Sequence, residues 1–319
     1  MWKHSYYPYK LDNKITEETK LLIGIGDSFC AGRGACSVEI WEKYGWDMER
    51  MYGEGKGEVE PLDYANSWVN QLCKNHMTDW TPLNLGMSGK GNRFAIKELT
   101  ANKILGIERS KEKIVVFAVS GFERLDLAKD LVMEDHFTTQ WPVYSEEENR
   151  LGYSELTFEN GVSIHSEKFV LNEFILNMIE LINWCKLHNA KLLLISAFTP
   201  ELNRDYFIDV LSTSVVYPIC QIKLDELIWS IPWEKIIRPL GFSCITDMLM
   251  YLEGWEDQMK EYGFRNVKID TIGPNGFMTK CQHPSEKAHK LLAEIIYEHI
   301  LNYEKLIPNT KKSTKTKMI

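Results

Sequence analysis

The stretch Lys20 to Gly34, KLLIGIGDSFCAGRG, constrains this chain more than any other. An apolar run stops abruptly at Gly26-Asp27-Ser28, and glycines return at Gly32 and Gly34. The run Leu21-Leu22-Ile23-Gly24-Ile25 has the length and apolarity of a strand buried on both faces, as in parallel sheets covered by helices. In open sheets of that kind, ligands bind just beyond the carboxyl ends of the strands. Ser28 therefore stands where chemistry is expected. A structural role competes there, because Asp27 or Ser28 can cap the free amides of a following helix. Partners elsewhere in the chain decide between the two.

The strand-then-helix theme recurs. Thr81 to Gly89, TPLNLGMSG, reads as a short strand running into a Gly/Ser turn. Asn92 to Leu105 then carries Phe94, Ile96, Leu99, Ile104 and Leu105 at helical spacing. Lys113 to Gly121, KIVVFAVSG, is a second buried strand, and Lys191 to Phe198, KLLLISAF, a further one. Between them, residues 168–188 form an amphipathic helix through Val170, Phe174, Ile175, Met178, Ile179, Leu181 and Ile182. A last helix follows His283 and runs through Leu291, Leu292, Ile295, Ile296 and Ile300. Strands alternating with helices predict an α/β fold, a doubly wound parallel sheet with right-handed crossovers and helices on both faces.

No linker divides the chain, which reads as one domain over residues 1–305 with insertions near 38–66, 130–166 and 225–262. The first insertion is aromatic and punctuated by glycine. The second contains Asn160-Gly161 between alternating residues, a β-hairpin signal. The third carries Trp229, Trp233 and Trp255. Such segments serve as lids over a substrate, complete the core, or form a protein interface. The tail, 306–319, is polar and lysine-rich without periodicity and reads as disordered.

Composition narrows the function classes. A hydrophobic content of 44% with 26% charged residues describes a soluble globular protein, and a net charge of −8 argues against a nucleic-acid footprint. No apolar stretch is long enough to span a bilayer, and the first residues lack the pattern of a secretory signal. A cytoplasmic location is expected. Seven scattered cysteines (Cys30, Cys36, Cys73, Cys185, Cys220, Cys244 and Cys281) match neither a disulfide framework nor a metal knuckle, and read as reduced packing residues. No metal is expected.

A serine hydroxyl is a weak nucleophile until a base accepts its proton. The best-placed histidine is His283, in CQHPSEKAHKLLAEII. It lies just ahead of Pro284-Ser285-Glu286, a helix-start signature, in the loop layer above the strand ends that also holds Ser28. His289, in the second turn of that helix, reads as a packing or surface residue.

The blocks GDSFCAGRG, NLGMSGKGN, a strand ending SGFER, and HPSEKAH, in that order across nearly the whole domain, resemble those of the SGNH (GDSL) hydrolase family. The variant blocks are similar to those of divergent members carried by tailed bacteriophages. The resemblance implies a flavodoxin-like sheet and a serine ester hydrolase without cofactor. Ser28 would be its nucleophile, His283 its general base, and the amides of Ser28 and Gly89 part of an oxyanion hole. Substrates implied by the family are small acyl esters, O-acetylated carbohydrates among them.

Two family positions depart from the pattern. The third block normally supplies an oxyanion asparagine in Gly-x-Asn-Asp, where this chain has Ser120-Gly121-Phe122-Glu123-Arg124. The acid normally three residues before the histidine is Lys280. An oxyanion donor is worth about 10²–10³ in rate and an orienting acid about 10⁴. Candidate replacements are Asn92 for the donor, unless it caps the helix from Arg93, and Arg124 for an anionic intermediate or an acidic substrate group. Glu123, Asp270 or a backbone carbonyl could orient His283. The competing reading is a catalytically degenerate binding or structural module, such as a phage virion component whose partners are viral particle proteins. A phosphate cradle on Gly32 and Gly34 is a distant third, since their spacing matches neither nucleotide-binding fingerprint.

Overall fold

Five strands form one parallel sheet: β1 (Lys20–Gly26), β2 (Thr81–Asn84), β3 (Glu112–Val119), β4 (Ala190–Ser196) and β5 (Ile236–Ile237), in the spatial order β5-β4-β3-β1-β2. This is the doubly wound, flavodoxin-like order, and its switch point lies between β1 and β3. The computed structural model describes residues 15–100, 106–121, 125–128, 137–140, 142–143, 156–158, 163–164, 167–198, 202–212, 226–257, 267 and 269–303. Register runs Leu21↔Thr81 to Gly24↔Asn84, Lys20↔Glu112 to Gly26↔Ala118, and Lys113↔Ala190 to Val119↔Ser196. Ser28 and Ser120 thus leave neighbouring strands at the same end of the sheet.

The helices are α1 (Ser28–Ala31), α2 (Val38–Lys43), α3 (Lys56–Ala65), α4 (Trp68–Asn75), α5 (Asn92–Thr100), α6 (Glu167–Leu187), α7 (Arg204–Ser212), α8 (Ile245–Glu253) and α9 (Glu286–Leu301). Alternate strand residues divide between two cores, as the pleat requires. Leu22, Val116, Ala118, Leu193 and Ile195 pack with Trp68 and Leu72 of α4, Met248 of α8 and Leu292 of α9. Leu21, Ile23, Ile25, Val115, Phe117 and Leu194 pack on the other face with Ile96 of α5 and with Ile175 and Met178 of α6. Each fully buried aliphatic side chain stabilises by about 1.5–3 kcal/mol relative to exposure. The continuous apolarity of β1 and β3 therefore follows from both faces being covered.

The inserted segments resolve differently. Residues 38–66 build a compact knob in which Trp41, Met51 and Val59 are buried with Cys36 and Cys281, and Trp46 stacks on Trp41 at 5.4 Å. Its apolar residues complete a local core. Within 130–166, Leu156–Phe158 pairs antiparallel with Ser163–Ile164, and the Asn160-Gly161 turn between them lies outside the described residues. The stretch 225–262, read from sequence as an insertion, contributes edge strand β5 and helix α8, and buries Trp255 in the core while Trp229 stays exposed. The tail 306–319 lies outside the described residues. Among the described residues no helix is long and apolar enough to cross a membrane.

Candidate active site

The turn after β1 presents Ser28. Asp27, buried at the N-cap of α1, accepts the amide of Phe29 at 3.0 Å, so Asp27 takes the capping role and leaves the Ser28 hydroxyl uncommitted to it. Helix α1 lasts one turn. It ends at Gly32, whose left-handed φ of 91° lets its amide return to the Ser28 carbonyl at 3.1 Å. Asn84, at the end of β2, fastens this turn from below: its side-chain amide donates to the Cys30 carbonyl at 2.8 Å and to Ser67 Oγ at 3.0 Å, while its Oδ1 accepts the amide of Gly86 at 2.9 Å.

His283 arrives on a loop closed by its own backbone. Thr279 donates its amide to the His283 carbonyl at 3.0 Å, and Met278 bridges Pro284. Ser285 caps α9 by accepting the amide of Ala288 at 3.3 Å. Gln282, immediately before the histidine, adopts a left-handed φ of 58° and is held by its Nε2, which donates to the Val267 carbonyl at 3.0 Å. Such a conformation costs a non-glycine residue about 1–2 kcal/mol and persists only where the surroundings enforce it.

The two loops meet. His283 Nε2 lies 2.8 Å from Ser28 Oγ, and His283 Nδ1 lies 2.6 Å from the main-chain carbonyl of Cys281. A carbonyl only accepts, so Nδ1 carries the proton of the neutral ring, and Nε2 faces the serine with its lone pair. Ser28 is 5% exposed, and the Phe29 ring sits 5.6 Å from the imidazole and 4.4 Å from Phe198. The arrangement can move the hydroxyl proton from Ser28 to His283 as carbon attack proceeds.

Gly34 makes the meeting possible. Its φ is 90°, and a Cβ there would stand 2.9 Å from Thr279 Oγ1 and 3.1 Å from both His283 Cβ and the Pro284 carbonyl. Around it lies a buried polar group. Asp63 accepts the amide of Cys36 at 2.8 Å and the hydroxyl of Tyr52 at 3.0 Å, and that hydroxyl accepts the amide of Gly34 at 3.1 Å. Burial raises the Asp63 carboxyl to about 6, with its hydrogen-bond donors opposing the rise. It is ionised at neutral pH. Burial also lifts the Cys281 thiol to about 11 and those of Cys30 and Cys36 well above the ordinary range, so none of these neighbours is a thiolate nucleophile.

The other residues singled out from sequence fall variously. Gly89 has a φ of 76° with open space where a Cβ would stand, and among the described residues no protein group accepts its amide or that of Ser28. Asn92 is tied to the neighbouring strand end. It is the first residue of α5, and its carboxamide is turned onto Ser120, accepting the Ser120 amide at 2.8 Å and donating to its carbonyl at 3.1 Å. That staple holds α5 to the end of β3. Asp270 is exposed and does not orient His283, because the Cys281 carbonyl occupies Nδ1. Glu123 and Arg124 lie outside the described residues. Asp63, Tyr52 and Glu253, whose carboxylate accepts the amides of Phe277 and Met278 ahead of His283, were not foreseen: they come from segments without a motif, and only the folded chain brings them to this loop. Among the described residues no group of three or more His, Cys, Asp or Glu is arranged to hold a metal ion.

No family model matches the chain, and no curated protein matches it. Among solved structures it is similar to the psychrotrophic esterase EstA from Pseudoalteromonas sp., in a form inhibited by monoethylphosphonate, at 13% identity over 90% of this chain and 99% of that chain with a TM-score of 0.40. It is also similar to the acetyl xylan esterase AlAXEase, at 11% identity over 88% of this chain and 99% of that chain with a TM-score of 0.34. The fold itself is read from the order and direction of the five strands.

Proposed function

We propose that the protein is a serine ester hydrolase working through a Ser28–His283 dyad on a small acyl ester. The supporting observation is the 2.8 Å contact between His283 Nε2 and Ser28 Oγ, with the tautomer set by the Cys281 carbonyl. His283 Nε2 takes the Ser28 proton while Oγ bonds to the ester carbon, and the carbonyl electrons move onto oxygen. The uncommitted amides of Ser28 and Gly89 receive that oxyanion. Collapse expels the alcohol, which takes the proton from Nε2. Water, giving a proton to His283, then attacks the acyl carbon; the acyl–Oγ bond breaks, Ser28 Oγ takes the proton back from Nε2, and the acid leaves. An O-acetylated carbohydrate is the substrate class we favour, since Trp46 lies half-buried beside Trp41 in the aromatic knob that flanks the histidine loop.

A fluorophosphonate probe tests this reading. The wild type is expected to gain a single adduct by intact mass, and Ser28→Ala and His283→Ala are each expected to lose it while keeping the wild-type melting curve. A folded wild type that takes no adduct would sink the hydrolase and return weight to a degenerate binding module, with phage particle proteins the first partners to try.

A further inference from the structure

Asp63 is 4% exposed and, among the described residues, has no cation in ion-pair contact. A buried carboxylate without a counter-charge is costly unless hydrogen bonds or a later charge compensate it. The Cys36 amide and the Tyr52 hydroxyl donate to it, and the Gly34 amide and the Cys36 thiol favour its charge as well. The same hydroxyl accepts the Gly34 amide, and a Cβ added at Gly34 would stand 3.1 Å from His283 Cβ. The Asp63 charge also bears on Cys281, whose carbonyl takes the Nδ1 proton of His283. The other charged and titratable groups in this pocket are Arg33, stacked 4.2 Å over the Tyr52 ring, the thiols of Cys36 and Cys281, and His289 on the α9 side of His283. Cys36, Cys281, Tyr52 and His289 are all held neutral. Arg33 is the only fixed cation of the group, and it makes no ion pair among the described residues.

Building on the dyad reading, we propose that Asp63 is the positioning carboxylate of the site: its negative charge at neutral pH, held by Tyr52 and Cys36 behind the Gly34 turn and Cys281, acts through space to stabilise the imidazolium that forms on His283. The acid missing at position 280 is thereby supplied from α3, a different element, without contact to the ring. The charge is present before reaction begins, with Arg33 the standing cation nearby, and the attraction to His283 appears only when the imidazole accepts the serine proton. Stabilisation that grows along the reaction coordinate accelerates the chemical step and leaves substrate binding unchanged.

Asp63→Asn keeps the acceptor for Cys36 and removes the charge. Its expected signature is a His283 imidazole pKa lower by about one pH unit, below the ~3 units that a unit charge at about 4 Å would give at an effective dielectric of about 20, because Asp63 makes no contact with the ring. The readout is a ¹⁵N NMR titration of the ring, which needs no turnover. On p-nitrophenyl acetate, kcat is expected to fall about tenfold with KM unchanged, and the acid limb of kcat/KM to move to lower pH. A merely structural role would lower kcat without moving that limb. Linkage is reciprocal, so His283→Gln is expected to raise the Asp63 pKa, read from its carboxyl ¹³C shift. This second variant decides the matter should Asp63→Asn not fold. An unmoved His283 titration in folded Asp63→Asn, or an unmoved Asp63 titration in His283→Gln, overturns the proposal. A shifted titration in a protein that hydrolyses no ester would uphold it and refute the hydrolase instead.

Discussion

Gly34 is the residue at which the serine turn and the histidine loop touch, and its side chain is a hydrogen because nothing larger fits. Gly34→Ala would place a methyl group against Thr279 and His283 on a left-handed backbone. The expected cost is about 1–3 kcal/mol of stability, read from urea unfolding, together with a probe-labelling rate lower by at least tenfold. Labelling at the wild-type rate would show that the two loops separate without harm. At this scale the sequence was informative wherever a residue sat in a contiguous block. Ser28 and His283 were legible because Gly-Asp-Ser and His-Pro-Ser carry their own local geometry, of a strand end and a helix start. Asp63 was not, because a lone aspartate in LDYAN looks the same whether it faces solvent or a buried tyrosine hydroxyl. The hold of the Asn92 carboxamide on the end of β3 was not legible either, because it is a contact between elements that no local pattern announces.

The loop that carries His283 is held by an element remote from it in sequence. Glu253, the last residue of α8, is 2% exposed, and its carboxylate accepts the amides of Asn275 at 2.7 Å, Phe277 at 2.5 Å and Met278 at 2.7 Å. Glu253→Ala would leave these donors without their shared acceptor, for an expected loss of about 1–3 kcal/mol. Below the lowered melting temperature, probe labelling is expected to be slow, because the histidine loop is no longer pinned under Ser28. A variant that melts early yet labels at full rate would separate fold support from histidine placement. Periodicity revealed the long elements, and β1, β3, β4, α6 and α9 stand within a residue or two of where apolar spacing places them. It could not reveal β5: Ile236–Ile237, between Lys235 and Arg238, is too short to show alternation and exists as a strand only because β4 offers it an edge.

Across the whole molecule, two buried groups set opposing pH dependences. His289 is fully buried between α9 and α4, where its Nδ1 accepts the Trp68 amide at 3.2 Å, and burial lowers its pKa from 6.5 to about 3. In that window the unfolded chain binds a proton that the folded chain refuses, so stability falls as the pH drops, by at most about 1.4 kcal/mol per pH unit. Asp63 runs the other way. Its folded carboxyl keeps a proton up to about 6 against 3.8 for a free aspartate, so the stability it contributes at low pH is lost as the pH rises through that range. The pair nearly cancels between about pH 4 and 6. His289→Asn, which retains an acceptor for Trp68, is expected to leave a protein whose stability declines from pH 4 to 6. Asp63→Asn is expected to do the reverse. Urea unfolding across that range checks both, and two variants that keep the wild-type profile would refute the opposition.

The partner of His283 Nδ1 belongs to the main chain, and this changes what mutation can reach. An aspartate in that place could be lost by a single nucleotide change, whereas every one of the twenty residues at position 281 brings the same carbonyl oxygen. Random substitution can therefore deform this hydrogen bond but cannot delete its acceptor. A search for relatives that demands an acid ahead of the histidine would pass over every protein built this way.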